Sequence, residues 1–200
     1  MNYSTNNCGQ STQKFYWSVP ASGRINISRF IPAIEIGHLL DAGVHVTIFI
    51  GDLHCQLLND RSPALKERCD FYKTTLRLML GIISKKLDKL NIVLGSELES
   101  DAKYMLDFYL IAGSTQIDKA TDATLGVLKP AKHPLLGSLV YPIVRAVDEK
   151  YVESTGQLAN ETEQNIINFI DEIGKKIEHK PGKRLFYSAL QSLSAKKVPV

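Results

Sequence analysis

Apolar positions along this chain fall into short continuous runs separated by stretches of helical spacing. KFYWSV (14–19) is aromatic and β-prone, VHVTIFIGD (44–52) is apolar at nearly every position, and LNIVLGS (90–96) is similar. Each predicts a strand, the second buried on both faces as in a parallel sheet. SRFIPAIEIGHLLDAG (28–43) predicts a helix stopped by Gly43. Residues 63–83 carry helical spacing through Leu65, Cys69, Tyr72, Leu76, Met79 and Ile83. A helix capped by Ser100 is expected over 100–111, further helix from Gly113 to Leu128, and an amphipathic helix over 161–177. Residues 133–152 read as a helical pair or one helix broken at Pro142. KRLFYSAL (183–190) closes the series as a late strand. Strands alternating with helices predict an α/β fold, a doubly wound parallel-sheet Rossmann domain. Ligands in such sheets sit beyond the carboxyl ends of the strands, which points to residues 18–22 and 51–54.

Composition narrows the class. A hydrophobic share of 44% and a charged share of 22% exclude a disordered, collagen-like or fibrous chain. The 24 basic and 21 acidic residues leave +3, too mild to mark a nucleic-acid binder by charge alone. Cys8, Cys55 and Cys69 have no paired metal-ligand spacing, so a reduced cytoplasmic protein without a metal site is expected. The apolar runs are far shorter than the roughly 20 residues of a bilayer span, so no membrane is expected as a partner. A disordered leader (1–13), one catalytic domain (14–190) and a basic flexible tail (191–200) are the expected organisation.

Longer motifs then carry a resemblance. YWSVPASGRIN (16–26), AGVHVTIFIGDLHCQLLN (42–59), KLNIVLGSELESDAKYMLDFY (89–109) and KHPLLGSLVYPIVRAVDEKY (132–151) run in order along the chain. The whole from Lys14 to about Ala189 resembles the catalytic domain of eukaryotic cytoplasmic tyrosyl-tRNA synthetases, class I Rossmann enzymes. The departures from that family cluster at its ATP signatures. Its His-rich signature corresponds to Asn26 and Arg29, and its Gly-Gly-x-Asp-Gln run to Ala159, Asn160, Glu161, Thr162 and Glu163. Its Lys-Met-Ser-Lys-Ser loop is expected to be missing after SAKKVPV (194–200). Ala159 and Asn160 add Cβ atoms where glycines let backbone approach a nucleotide. The resemblance therefore implies no ATP-dependent activation of tyrosine, and no cofactor.

The amino-acid side of the pocket is better kept. Tyr16 stands at the family's strand-one tyrosine, Asp52 where the family has an Asp near the α-amino group, and Gln157 is retained. Tyr141, Arg145 and Asp148 follow its Tyr-x-x-x-Gln-x-x-Asp pattern with Arg145 in place of the Gln, and their i, i+4, i+7 spacing puts all three on one helical face. In size and missing parts the chain is also similar to fungal arginine-containing cyclodipeptide synthases, which join two tRNA-borne aminoacyl groups into a diketopiperazine. That resemblance implies aminoacyl-tRNA, held by its acceptor end, and amino-acid moieties as partners.

Such a reaction needs a positioned acceptor, a stabilised oxyanion and a nucleophile for an acyl-enzyme. Ser18, at the family's strand-end glycine, and Ser22 are the candidate nucleophiles, with the alternative that either only caps backbone. Asp52 and Tyr141 complete the expected catalytic set. Asp148 or Glu163 would face a guanidinium, unless Asp148 simply pairs with Arg145. His54 is either a general base or an oriented loop residue. Asn26 and Arg29 line the former signature, Arg29 with its charge toward the site. Lys85, Lys86, Lys89, Lys183 and Arg184 are candidate phosphate contacts for tRNA, or solvated faces. The competing function is an inactive synthetase paralogue that binds tRNA, tyrosine or a synthetase subunit. A monomer and a homodimer are both open.

Overall fold

The structure, a computed structural model, describes residues 13–58, 63–128, 132–133 and 135–188. The expected leader, save Gln13, and the expected tail lie outside them. Five parallel strands form one sheet: β1 (Lys14–Pro20), β2 (His45–Gly51), β3 (Leu90–Leu94), β4 (Gly156–Asn160) and β5 (Lys183–Tyr187), in the order β3-β2-β1-β4-β5. The helices are α1 (Phe30–Asp41), α2 (Asp52–Leu57), α3 (Leu65–Ile83), α4 (Gly95–Glu99), α5 (Ala102–Ala112), α6 (Ile117–Ala123), α7 (Leu136–Tyr151) and α8 (Gln164–Ile173). The sheet order reverses at β1, where chain connections leave toward β2 on one side and β4 on the other. That is the topological switch point of a doubly wound sheet, so the predicted fold class holds.

Local chemistry sets the boundaries. Gly43 adopts a left-handed φ of +82° after α1, and the backbone N–H groups of Gly43 and Val44 return to the carbonyls of Leu40 and Leu39. Asp101, rather than the expected Ser100, caps α5, its Oδ1 accepting from the N–H groups of Lys103 and Tyr104. Residues 136–151 form one continuous helix through Pro142, not a pair. GQLAN (156–160) is a strand where none was expected, because its Gly, Gln and Asn carry no β-branched signal.

The two faces of the sheet differ in kind. Phe15, Trp17 and Val19 of β1, Val46, Ile48 and Ile50 of β2, and Leu158 of β4 pack with Ile36, Leu39 and Leu40 of α1 and Tyr72, Leu76 and Leu80 of α3. Each fully buried large aliphatic there stabilises the fold by about 1.5–3 kcal/mol. The second apolar cluster contains only helical residues, among them Tyr104, Ile111, Ala146, Val147, Ile166, Phe169 and Ile170. Between it and the sheet lies a polar layer. Register puts Tyr16 beside Gln157, and Gln157 beside Arg184, with Ser18 two residues further along β1, all on the face opposite Trp17.

Candidate functional site

The polar layer is where α7 crosses the sheet. Tyr141, Arg145, Asp148 and Glu149 sit at i, i+4, i+7 and i+8 of α7, and all four are buried. Three clusters of hydrogen bonds result. Arg145 Nη1 donates to Tyr141 Oη (3.1 Å) and to Glu163 Oε1 (2.9 Å), while Glu163 Oε2 accepts the backbone N–H of Asn160 (2.9 Å). Burial works against the Arg145 charge, but Tyr141 and Glu163 more than offset it and keep the guanidinium protonated. Arg145 on α7 and Glu163 in the turn after β4 are thus paired with each other.

Glu149 is the second centre. Its Oε2 accepts from Tyr16 Oη (3.0 Å) and Arg184 Nη1 (2.7 Å), and its Oε1 from His179 Nε2 (3.0 Å). Burial would raise the Glu149 carboxyl, but the hydrogen bonds and charges of His179 and Arg184 outweigh it and hold it down at about 2. Arg184 also donates to Gln157 Oε1 (2.7 Å) and Asp171 Oδ1 (2.5 Å). The third centre is acidic. His54 Nε2 donates to Asp148 Oδ2 (2.8 Å), Tyr104 Oη donates to Asp148 Oδ1 (2.7 Å), and Glu99 Oε1 lies 3.8 Å from His54 Nε2. The His54 ring lies between Phe49 and the edge of Tyr141, with centroids 5.5 and 5.4 Å away. Burial, and after it the charges of Asp148 and Asp52, push the Glu99 carboxyl up to about 8.

Six buried side-chain polar atoms find no hydrogen-bond partner among the described residues: Ser18 Oγ, His54 Nδ1, Glu99 Oε1, Arg145 Nη2, Gln157 Nε2 and Arg184 Nε. All six belong to this one layer. Native interiors leave few such atoms, because each costs about 1–3 kcal/mol, so their concentration marks a polar site. Among the described residues, His54, Glu99 and Asp148 are also the one group whose donor atoms, all within 4.8 Å of one another, have metal-ligand spacing, which the sequence gave no sign of.

The expected site residues divide accordingly. Tyr16, Ser18, His54, Tyr141, Arg145, Asp148, Gln157 and Glu163 are brought together. The expected Asp148–Arg145 pair does not form, since Arg145 is bound to Glu163 and Asp148 to His54 and Tyr104. Asp52 is at the expected strand end, but its Oδ1 accepts the N–H groups of Leu53 and Ser96 and its Oδ2 the Ser96 hydroxyl, so it fastens α4 to α2. Ser22 lies past β1, with its carbonyl accepting from Tyr72 Oη (2.6 Å). Asn26 is exposed and caps the turn at Ile27–Arg29 through Ser28. Arg29 lies beside Tyr72 and Tyr187. Of the candidate tRNA contacts, Arg184 is not on the surface but inside the polar layer. Lys86 and Lys89 donate to the carbonyls of Asp41 and Gly43 (2.8 and 2.7 Å), at the amino ends of β2 and β3, and Lys85 is exposed beside them. Lys183 opens β5 at the same far end of the sheet. Sequence reasoning passed over Glu99, Tyr104, Glu149 and His179; only the density of acids in ELESD (97–101) hinted at the first.

An all-parallel, doubly wound α/β sheet with a buried polar layer between it and α7 is the class that the fold and the site define. The chain belongs to the class I tRNA synthetases of the tryptophan and tyrosine type, whose family model matches residues 9–197. It is 31% identical over 185 residues to a probable cytoplasmic tyrosine–tRNA ligase of Vairimorpha ceranae, covering 92% of this chain and 56% of that protein. Against the cytoplasmic tyrosine–tRNA ligase of Danio rerio it is 32% identical over 160 residues, 79% of this chain and 30% of the relative. It thus spans about half of the first relative's length and under a third of the second's. Its fold matches that of the tyrosyl-tRNA synthetase from Archaeoglobus fulgidus crystallised with L-tyrosine, with a TM-score of 0.83 at 20% identity over 90% of this chain and 56% of that one. Among the described residues no helix is long and apolar enough to cross a membrane.

Proposed function

We propose that this synthetase-like domain is a tRNA-dependent cyclodipeptide synthase, a cytoplasmic aminoacyltransferase that takes two aminoacyl groups from charged tRNAs, one of them arginyl, without ATP. The observation that carries this reading is a set of buried donors without acceptors: Ser18 Oγ, Arg145 Nη2 and Gln157 Nε2. An aminoacyl ester offers what they lack, a carbonyl oxygen that gains negative charge as its carbon is attacked. The pairing of Arg145 with Glu163, where the family has two Gln, supports a pocket rebuilt for a ligand other than free tyrosine. Asn160, in place of a glycine, spends its side chain on the Thr162 N–H, which supports the loss of a nucleotide cradle.

In this scheme the ester is already activated, so no phosphate chemistry is needed. Ser18 Oγ attacks the carbonyl carbon, the bond to the tRNA ribose oxygen breaks, and the serine proton leaves with that hydroxyl. The α-amine of a second aminoacyl-tRNA then attacks the acyl-Ser18 carbonyl, forming the peptide bond and returning the serine hydroxyl. The free amine of the dipeptide attacks its own ester carbon, closing the six-membered ring and releasing the second tRNA. The test is acid-quench trapping with radiolabelled arginyl-tRNA. Label should appear on wild-type protein and be absent from Ser18→Ala, with Ser22→Ala unaffected. Unlabelled wild type, or equal label on Ser18→Ala, contradicts the scheme.

A further inference from the structure

Among the described residues, Glu99 is the only buried carboxylate with an oxygen that receives no hydrogen bond. It is nine-tenths buried, and its Oε1 approaches the same His54 nitrogen that Asp148 Oδ2 already holds. No lysine or arginine among the described residues pairs with Asp52, Glu99 or Asp148, because Arg145 is committed to Glu163 and Arg184 to Glu149 and Asp171. Asp52 is satisfied by N–H and O–H donors alone. Two carboxyl groups therefore meet one imidazole nitrogen at this end of the polar layer, and of the two only Glu99 has an oxygen without a hydrogen bond. Buried acids in that arrangement call for a cation.

We propose that Glu99 and Asp148 form the seat for the positively charged side chain of a basic aminoacyl substrate, with Glu99 the residue that selects basic over neutral side chains. This rests on the reading of the polar layer as an aminoacyl site. A guanidinium or ammonium suits the seat better than a metal ion. Its N–H groups need only the spare Glu99 oxygen and a second lone pair of Asp148, leaving the His54 and Tyr104 hydrogen bonds intact. A metal at His54 Nε2 would need the proton on that nitrogen removed, and so would break its bond to Asp148.

The test is calorimetric titration of the full chain with amino-acid methyl esters, which mimic the tRNA-linked ester and need no turnover. L-arginine methyl ester should bind at least about tenfold more tightly than the neutral, nearly isosteric L-citrulline ester, the worth of one charge-assisted hydrogen bond. Glu99→Gln should erase most of that preference, Glu99→Asp should keep part of it, and Glu97→Gln on the exposed side of the same helix should leave it unchanged. Equal wild-type affinity for the two esters overturns the proposal, as does a preference that survives in Glu99→Gln. Stoichiometric zinc or magnesium binding that requires Glu99 and excludes the arginine ester also overturns it. If the Glu99-dependent preference appears but no acyl-enzyme ever forms, the transfer reaction fails and the seat stands. If label is trapped but the preference is absent, the seat fails and the reaction stands.

Discussion

Two glutamates in the polar layer are pushed in opposite directions, and each makes a stability prediction of opposite sign. Glu149 is held at about 2, well below its ordinary range, by His179 and Arg184 despite burial. A depressed acid contributes stability that is complete above about pH 4.5 and lost as pH falls toward 2. Glu149→Gln should cost about 3–5 kcal/mol at neutral pH, since it strands buried Arg184, and should flatten the acid limb of the melting-temperature profile. Glu99 is raised by burial to about 8, so its neutral form favours the folded chain. Wild-type stability should therefore decline as pH rises from about 4.5 to 8, and Glu99→Gln should remove that decline. A decline between about pH 4.5 and 8 that persists in Glu99→Gln would contradict the placement of this carboxyl. The wild-type profile without an added arginine ester is the proper reference, because a bound cation would lower the same group.

α7 is the element on which the site depends. It must approach α2 closely enough to bring Tyr141 and Asp148 against His54, and Gly137 permits this: a Cβ there would stand 2.2 Å from the Leu57 carbonyl oxygen. Gly137→Ala should destabilise by about 1–3 kcal/mol, measurable by denaturant unfolding. The Arg145–Glu163 pair ties α7 to the turn that follows β4. Arg145→Gln and Glu163→Gln should each destabilise, whereas the double variant should recover about 1–3 kcal/mol of coupling. Additive effects would show that the two residues act independently. These elements also show what a sequence can carry. α1, α3, β2 and β3 were legible because their apolar spacing is strong and their partners are apolar. β4 was not, because GQLAN spends its exposed-looking Gln157 on the polar layer, a tertiary demand that no propensity anticipates. Arg184 was counted with surface lysines for the same reason, although the alternation with Leu185 and its register against Gln157 put it on the polar face. Glu99 was hidden at a helix end, where acids are ordinary capping chemistry.

At the scale of the molecule, the sheet divides the work. One face is an apolar core against α1 and α3 that pays for folding, and the other exchanges packing for hydrogen-bonding groups, several of them unsatisfied. The candidate site is therefore partly readable from the sequence: Tyr141, Arg145 and Asp148 of α7 and Tyr16 and Ser18 of β1 are legible, but Glu149 is not, nor is the way Arg145, Glu163, Asp148 and His54 pair. The family relation fixes the fold, and the proposed reaction rests on the Arg145–Glu163 pair and on the buried polar atoms without partners. The most direct measurement is mass spectrometry of small products after incubating the pure full chain with a mixture of charged tRNAs and no ATP. The account predicts an arginine-containing diketopiperazine that disappears in Ser18→Ala, together with no pyrophosphate exchange when tyrosine and ATP are supplied instead. Tyrosine-dependent exchange with no cyclic dipeptide would contradict it.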